Sequence, residues 1–334
     1  MSESCKQILK FIAKLSITAV LLYWVFRQIN YTEFSQALET AQWRYLWIVW
    51  GTTILSYWLL SIKMVMIMKK QDCPASTGLL FGASAITALY SMVLPGMLDA
   101  PVKWYILKQH TGKGSNVFCS MVYNQTTILF YMGATALVAL IVTNPGGNWH
   151  IPVICSAILA LLIVICLLLF TPTIGPKLTN SLSHILKPLP VSFRDRGLKA
   201  LEQLSLFQTA PWSFHFKMIL MNFISITIFG TAIYIFAAKT VGIDVPIGVL
   251  VLQFSVIFLL GRLPIFIAEL GVREVTLIGT LALYSVDASL ATLMSMIIFS
   301  NRILMALIGA VYQVCWGLRR QKKKNSSDSE SAGI

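Results

Sequence analysis

The chain has 334 residues, of which 57% are hydrophobic and only 12% are charged, and its formal net charge is +13. A soluble domain carries about 25% charged residues, so this composition excludes a soluble globular protein and indicates an integral membrane protein. The basic residues lie in short runs between apolar segments, which is typical of cytoplasmic loops near anionic lipid, and no nucleic-acid partner is expected.

Six apolar segments are each long enough to cross a bilayer as a helix, because a span needs about 20 apolar residues. These predicted spans are residues 11–29, 43–68, 116–142, 151–170, 214–238 and 288–317. Between the first two, residues 30–42 carry apolar side chains at helical spacing, which predicts a short amphipathic helix on the outer surface. The predicted fold class is therefore an all-α polytopic membrane protein with about six full spans and two broken elements.

The first broken element follows the second span and is interrupted by a Leu-Pro-Gly sequence. Pro95 lacks a backbone N–H and Gly96 tolerates a break, so we expect a helix to end there. Asp99 and Lys103 follow, four residues apart. Because neither arm is long enough for a full span, we predict a re-entrant hairpin that enters from the cytoplasm and returns to it.

The second broken element follows the fifth span and has the same layout. Pro264 again follows a leucine, Gly271 permits a second break, and Glu269 and Arg273 repeat the spacing of an acid and a base. Charged groups inside a bilayer cost about 2.5–3.5 kcal/mol each on insertion scales, so they need a partner, a water-filled cavity or a substrate. We predict a second re-entrant hairpin, which enters the membrane from the outer side. The alternative is that both arms cross the membrane, and this would leave every loop on the same side.

The distribution of basic residues predicts the topology and the domain organisation. With the N-terminus in the cytoplasm and both hairpins re-entrant, most of the 26 Lys and Arg residues face the cytoplasm. Residues 43–143 and 212–317 then form an inverted repeat joined by a cytoplasmic linker, 171–211. We expect one membrane domain, 1–317, followed by a basic and then disordered cytoplasmic tail, 318–334. The expected location is the inner (cytoplasmic) membrane, with both termini in the cytoplasm.

The two hairpin breaks are predicted to face one cavity near the bilayer midplane. Helix N-termini there would favour an anion, and Lys103 and Arg273 would add full positive charges. Asp99 and Glu269 lie four residues before those bases, on the same helix face, so each acid would neutralise its base in the empty state. The alternative is that these are static structural pairs.

Two further charged residues complete the predicted substrate site, and no catalytic site is found. Glu274 points away from Arg273 on a helix, so we predict that it pairs with Arg302. The sequence has no Ser-His-Asp constellation, nucleotide-binding loop or zinc motif, and its six cysteines and four histidines are scattered. No catalytic residue, metal or cofactor is therefore expected, and the protein is not expected to be an enzyme.

Two motifs resemble those of a known family. Residues 263–264 (Leu-Pro) and 270–274 (Leu-Gly-Val-Arg-Glu), followed by 289–302, resemble the lysylphosphatidylglycerol synthase transmembrane region family. Residues 94–103 are similar to the earlier proline-glycine motif of that family. The resemblance covers about residues 8–317, and it implies a flippase-like membrane protein, similar to the flippase half of the multiple peptide resistance factor.

The sequence departs from the family pattern in both motifs. Ala268 and Glu269 stand where the family has glycines, and Asp99-Ala100 stands where a glycine-acid pair is expected. Nothing after Gly317 has the composition of the aminoacyl-transferase domain of the full synthases, so the resemblance implies lipid translocation rather than lysine transfer.

Two functions follow from these features. The first is a lipid flippase or transporter, not driven by ATP, that handles an anionic phospholipid or a polyprenyl-phosphate-linked lipid. The second is an accessory membrane subunit that binds and stabilises a lipid- or glycan-modifying enzyme, which would be its membrane partner.

Overall fold

The computed structural model of the chain describes residues 31–92, 94, 100–144, 147, 149–150, 153–154, 156–157, 207, 210–262 and 269–331. Throughout those residues the regular elements are helices, and no strand occurs. The helices are α1 Tyr31–Thr40, α2 Arg44–Lys70, α3 Thr77–Ser91, α4 Ala100–Thr111, α5 Gly114–Thr143, α6 Trp212–Val241, α7 Ile247–Gly261, α8 Val272–Ala282 and α9 Ala288–Ser331. One turn of α6, Phe223–Ile228, is a π-helix.

Four helices are long and apolar enough to cross a membrane, namely α2, α5, α6 and the Ala288–Trp316 part of α9. They correspond to four of the six predicted spans, which confirms a polytopic helical membrane protein. The other two predicted spans, 11–29 and 151–170, lie wholly or almost wholly outside the described residues. Two shorter apolar helices, α3 and α7, have 15 residues each and follow α2 and α6.

Both predicted interruptions fall between consecutive helices. In the first, α3 ends at Ser91 and α4 begins at Ala100. The predicted break residues Pro95 and Gly96 lie outside the described residues.

In the second, α7 ends and α8 begins eleven residues apart in the sequence. Pro264 is outside the described residues, but Gly271 is the residue just before α8 and has a φ of 84°. That left-handed conformation is open to glycine because it has no Cβ. Gly271 therefore lies at the start of α8, where the second break was predicted.

The last helix differs from its predicted end. α9 continues to Ser331, past residue 317, through the basic part of the tail and into the part that is predicted to be disordered. Lysine, arginine and glutamine are good helix formers, so the helix that begins in the apolar span propagates through the basic residues 319–324.

The helices pack in reciprocal pairs between a first half, α2–α5, and a second half, α6–α9. α3 packs against α9 and α7 packs against α5, while α2 packs against α6. The contact between α3 and α9 is close, since a Cβ at Gly309 would overlap the carbonyl oxygen of Ala85. Small residues at such interfaces let helix backbones approach within a membrane.

The two largest of the four apolar clusters among the described residues lie towards the two ends of α2. One contains Val49 near the start of α2 together with side chains of α6–α9, and the other contains Ile67 near the end of α2 together with side chains of α3 and α5. Between these positions on α2, Tyr57 and Leu60 line a cavity that has both polar and apolar walls. Tyr57 also packs against a smaller apolar cluster of α3 and α9, and Leu60 packs against one of α5 and α6.

Candidate functional site

The cavity between the two halves has a volume of about 270 Å³. Three lining residues lie at the middle of spanning helices: Tyr57 in α2, Ile128 in α5 and Arg302 in the apolar part of α9. The cavity is therefore at mid-depth of these three helices.

The charged lining residues are predominantly basic. Lys103 comes from the first half, and Arg262, Arg302 and Glu269 come from the second. Among the described lining residues, three cationic groups stand against one carboxylate, which favours an anionic ligand, most strongly where apolar walls keep the local dielectric low. Within the described part of the chain, no group of three His, Cys, Asp or Glu side chains could hold a metal ion.

Lys103 reaches the cavity from the first turn of α4. Its Nζ donates a hydrogen bond to Ser84 Oγ of α3 over 2.8 Å, and both residues line the cavity. Ala100, the first residue of α4, also lines it. The N-terminus of a helix carries unpaired N–H groups and about half a positive charge, so this end of α4 adds to the attraction for an anion.

Glu269 and Arg302 form an ion pair in the cavity wall, through Oε1 and Nη2. The pair is not sealed, since 19% of the Glu269 side chain and 29% of the Arg302 side chain is exposed. The carboxyl group lies against Gly261 at the end of α7, where an added Cβ would overlap it. Arg302 is thus held from one side by a carboxylate that faces the same cavity.

This pairing corrects the predicted pair of Glu269 with Arg273. The prediction assumed that both residues share a helix, but α8 begins only at Val272 and Glu269 has a φ of 60°. A residue outside the helix does not share a face with one four positions later. The corresponding pair of Asp99 with Lys103 stays a prediction, because Asp99 lies outside the described residues.

Arg273 and Glu274 instead pair with each other in a buried network. Arg273 Nη2 donates to Glu274 Oε1 (2.6 Å), and Arg273 Nε donates to Ser295 Oγ (2.7 Å). Ser295 Oγ donates to Glu274 Oε1, and the Gly271 N–H donates to Glu274 Oε2, both over 2.7 Å. The guanidinium lies 5.0 Å from the centre of the Phe299 ring. This network fastens the start of α8 to α9.

The predicted pair of Glu274 with Arg302 is therefore wrong, and Arg273 and Glu274 are not among the residues that line the cavity. Glu274 is the third residue of α8, so its carboxylate turns back and caps its own helix, as a glutamate at that position commonly does. The long Arg273 side chain turns to the same carboxylate. Of the predicted substrate residues, the structure brings Lys103, Glu269 and Arg302 together and places Arg273 and Glu274 elsewhere.

Among the lining residues that sequence reasoning left unassigned, three carry a guanidinium or an amide group. Arg262 follows the end of α7, with its guanidinium 4.6 Å from the centre of the Phe258 ring. Asn124 and Gln125 line the cavity from α5, and Asn124 Oδ1 and Gln125 Nε2 are buried without a hydrogen-bond partner among the described residues. The sequence does contain a signal for Arg262, because an arginine within an apolar segment indicates a functional or paired charge.

Other intramembrane amides have the structural role expected of them, which is bonding between helices. Asn222 Oδ1 accepts a 2.5 Å hydrogen bond from Nζ of Lys63, joining α6 to α2, and Gln253 Nε2 donates to Thr280 Oγ1 over 2.7 Å, joining α7 to α8. Lys63 is fully buried. The bonded amides Asn222 and Gln253 do not line the cavity, in contrast to the amides of α5.

Comparison with known proteins gives one finding. The family described as Lysylphosphatidylglycerol synthase TM region matches residues 11–309, which include every cavity-lining residue. The match is to the transmembrane region of that synthase. Neither a curated protein nor a solved structure matches the chain.

Proposed function

This chain belongs to the lysylphosphatidylglycerol synthase TM region family, and from that premise we propose that it is a flippase or transporter of an anionic lipid. The ligand is a phospholipid or a polyprenyl-phosphate-linked lipid, whose headgroup enters the central cavity. No nucleotide drives the movement.

The observation that carries this proposal is the charge of the cavity. Lys103, Arg262 and Arg302 face it at mid-depth, with Glu269 as the one acid among the described lining residues. Basic side chains are costly within a bilayer and are typical of substrate pathways there. The guanidinium groups suit a phosphate because their fork can donate two parallel hydrogen bonds.

The apolar part of the wall favours an amphipathic ligand over a small soluble anion. Leu60 and Met64 of α2 face the same space as Met121 and Ile128 of α5. Such a wall is compatible with the first carbons of a lipid beside its phosphate. A lipid would therefore make favourable contacts through its phosphate with the basic side chains and through its first carbons with the apolar wall.

Helix lengths and packing support re-entrant hairpins in an inverted repeat. At 1.5 Å per residue, α3 and α7 are each about 22 Å long, shorter than the roughly 30 Å hydrocarbon core. Each packs against the last helix of the other half. This reciprocal arrangement is expected if residues 43–143 and 212–317 are repeats of opposite orientation, a plan that transporters use for alternating access.

We place the protein in the inner (cytoplasmic) membrane with both termini in the cytoplasm. The ends of α2 and α4 then face the cytoplasm with Lys69, Lys70 and Lys108, in agreement with the positive-inside rule. The proposed linker, 171–211, lies almost wholly outside the described residues.

Lipid movement in vesicles reconstituted with the full chain tests the proposal. Vesicles carrying fluorescent phosphatidylglycerol are treated with a membrane-impermeant quencher, and the rate at which inner-leaflet label becomes quenchable is measured. We expect wild-type protein to accelerate this rate and Lys103→Ala to lose most of the acceleration. Lys108→Ala is the matched control, since Lys108 is exposed on the same helix beside Trp104.

Lys103→Arg, which retains the charge, should recover part of the acceleration. If wild-type protein accelerates neither phosphatidylglycerol nor a polyprenyl phosphate, the transport function is wrong. A stable enzyme partner that copurifies with such an inactive protein would favour the accessory-subunit function instead.

A further inference from the structure

We propose that Glu269 is a built-in counter-ion that occupies the anion site of the empty cavity, and that a ligand phosphate must take its place on Arg302. This inference rests on the proposed function of the cavity and adds its regulation. It predicts that the native carboxylate weakens anion binding, so that removing it makes binding tighter.

The first support is the position of the pair. Glu269 and Arg302 both line the cavity and remain partly exposed to it, at 19% and 29%. The pair of Arg273 with Glu274 is different, because those side chains are only 2% and 8% exposed and are enclosed by further hydrogen bonds. A ligand in the cavity can reach the first pair, whereas the second is sealed between α8 and α9.

The second support is the backbone at Glu269. Its φ of 60° is left-handed, a conformation that is uncommon for residues with a Cβ and persists where the surroundings impose it. The Glu269 carbonyl accepts a 3.2 Å hydrogen bond from the Arg273 N–H, which ties it to the first turn of α8. This bond holds the backbone of Glu269 next to the first turn of α8, and from there its carboxylate reaches Arg302 of α9.

The third support is the space that receives the carboxylate. A Cβ at Gly261 would overlap Cγ, Cδ and Oε1 of Glu269, so only glycine at that position leaves room for the acid. The end of α7 therefore accommodates the Glu269 side chain in the cavity wall.

Simple electrostatics then gives the consequence. A phosphate that binds Arg302 competes with the carboxylate for the same guanidinium, and it also meets the repulsion of a like charge in a poorly solvated site. Binding is therefore coupled to the release of Glu269 from Arg302. In the empty protein the same carboxylate prevents Arg302 from being a buried charge without a partner.

Calorimetric titration of the purified full chain in neutral detergent tests the inference. The two probes are short-chain phosphatidylglycerol and inorganic phosphate, and the variants are Glu269→Gln, Gly261→Ala and Glu274→Gln. We expect Glu269→Gln to bind phosphatidylglycerol at least about tenfold more tightly than wild type, the effect of removing one charge-assisted competitor. Gly261→Ala displaces the carboxylate and should shift affinity in the same direction.

Glu274→Gln is the control, because it removes an acid that does not line the cavity, and it should leave the affinity of folded protein unchanged. If wild type binds phosphatidylglycerol and Glu269→Gln binds it equally or more weakly, the counter-ion inference is wrong while the proposed function stands. Should Glu269→Gln fail to fold, an unchanged or lower affinity of Gly261→Ala overturns the inference by itself.

The two probes separate the two sources of a phosphate group. Tighter binding of phosphatidylglycerol alone supports a counter-ion at a lipid site. If Glu269→Gln gains affinity for inorganic phosphate and does not bind phosphatidylglycerol, the counter-ion is supported and phosphatidylglycerol is contradicted as the ligand. If wild type and every variant bind neither probe, the inference fails, whereas the proposed function fails only if the vesicles also show no acceleration of phosphatidylglycerol or a polyprenyl phosphate.

Discussion

The buried network at the start of α8 gives a prediction that separates folding from ligand binding. Glu274→Gln keeps the shape of the side chain but removes the charge that compensates Arg273. Three hydrogen bonds converge on the Glu274 carboxylate, from Arg273, Ser295 and the Gly271 N–H, and the two charged side chains are 8% and 2% exposed. Water therefore cannot replace the lost charge.

The expected magnitude follows from that burial. Removing one partner of a buried ion pair destabilises a protein by about 3–5 kcal/mol, because the other charge remains buried without compensation. Ser295→Ala removes the hydroxyl that bonds both charged groups but leaves the pair intact, so it should cost less, about 1.5–3 kcal/mol. Lys103→Ala should cost less again, since Lys103 is only half-buried.

Reversible denaturation in mixed detergent micelles, followed by tryptophan fluorescence, measures these differences. Titration with short-chain phosphatidylglycerol is then performed on the folded fraction of each variant. We expect Glu274→Gln to unfold much more readily and to bind normally when folded, and Lys103→Ala to show the opposite pattern. A Glu274→Gln protein that is as stable as wild type but no longer binds would refute the structural role and restore Glu274 as a ligand-binding residue.

Two packing features give further predictions for the same unfolding measurement. Gly309→Ala should lower the free energy of unfolding by about 1–3 kcal/mol, because the new methyl group would overlap the carbonyl of Ala85. Gly279→Ala is the control: its Cβ would have no atom within 4 Å, so it should be neutral or stabilise α8 by up to about 1 kcal/mol. Equal effects of the two substitutions would contradict the close packing of α3 on α9. Asn222→Leu should cost roughly 1–3 kcal/mol by removing the acceptor of Lys63, and a double variant that also carries Lys63→Met should recover most of that loss; additive losses in the double-mutant cycle would show that the pair is not coupled.

The spanning helices could be predicted because hydropathy is a local property. α2, α5, α6 and the apolar part of α9 lie where long apolar segments predicted them, within a few residues at each end. The π-helical turn Phe223–Ile228 could not be predicted, because those residues are ordinary apolar and hydroxyl side chains with neither proline nor glycine. A tertiary contact occurs at this turn, where Ser56 Oγ of α2 donates a 2.8 Å hydrogen bond to the Ser225 carbonyl.

The candidate site could be predicted only in part. An acid and a base four residues apart indicate a pair where one helix contains both, and that rule failed at Glu269 because the helix starts three residues later. Arg262 was visible as an intramembrane arginine beside the predicted cavity, but the sequence did not indicate that its side chain lines that cavity. Asn124 and Gln125 look the same in the sequence as Asn222 and Gln253, which are bonded to other helices.

The sequence by itself determined the class of protein, its family motifs and the positions of the spanning helices, because each of these depends on neighbouring residues. Only the tertiary structure decided which charges meet. Glu269 finds Arg302 thirty-three positions away in the sequence, and Lys63 finds Asn222 on another helix 159 positions away. In a medium that offers charged groups little water, each one takes the partner that packing brings within reach, whatever its distance along the chain.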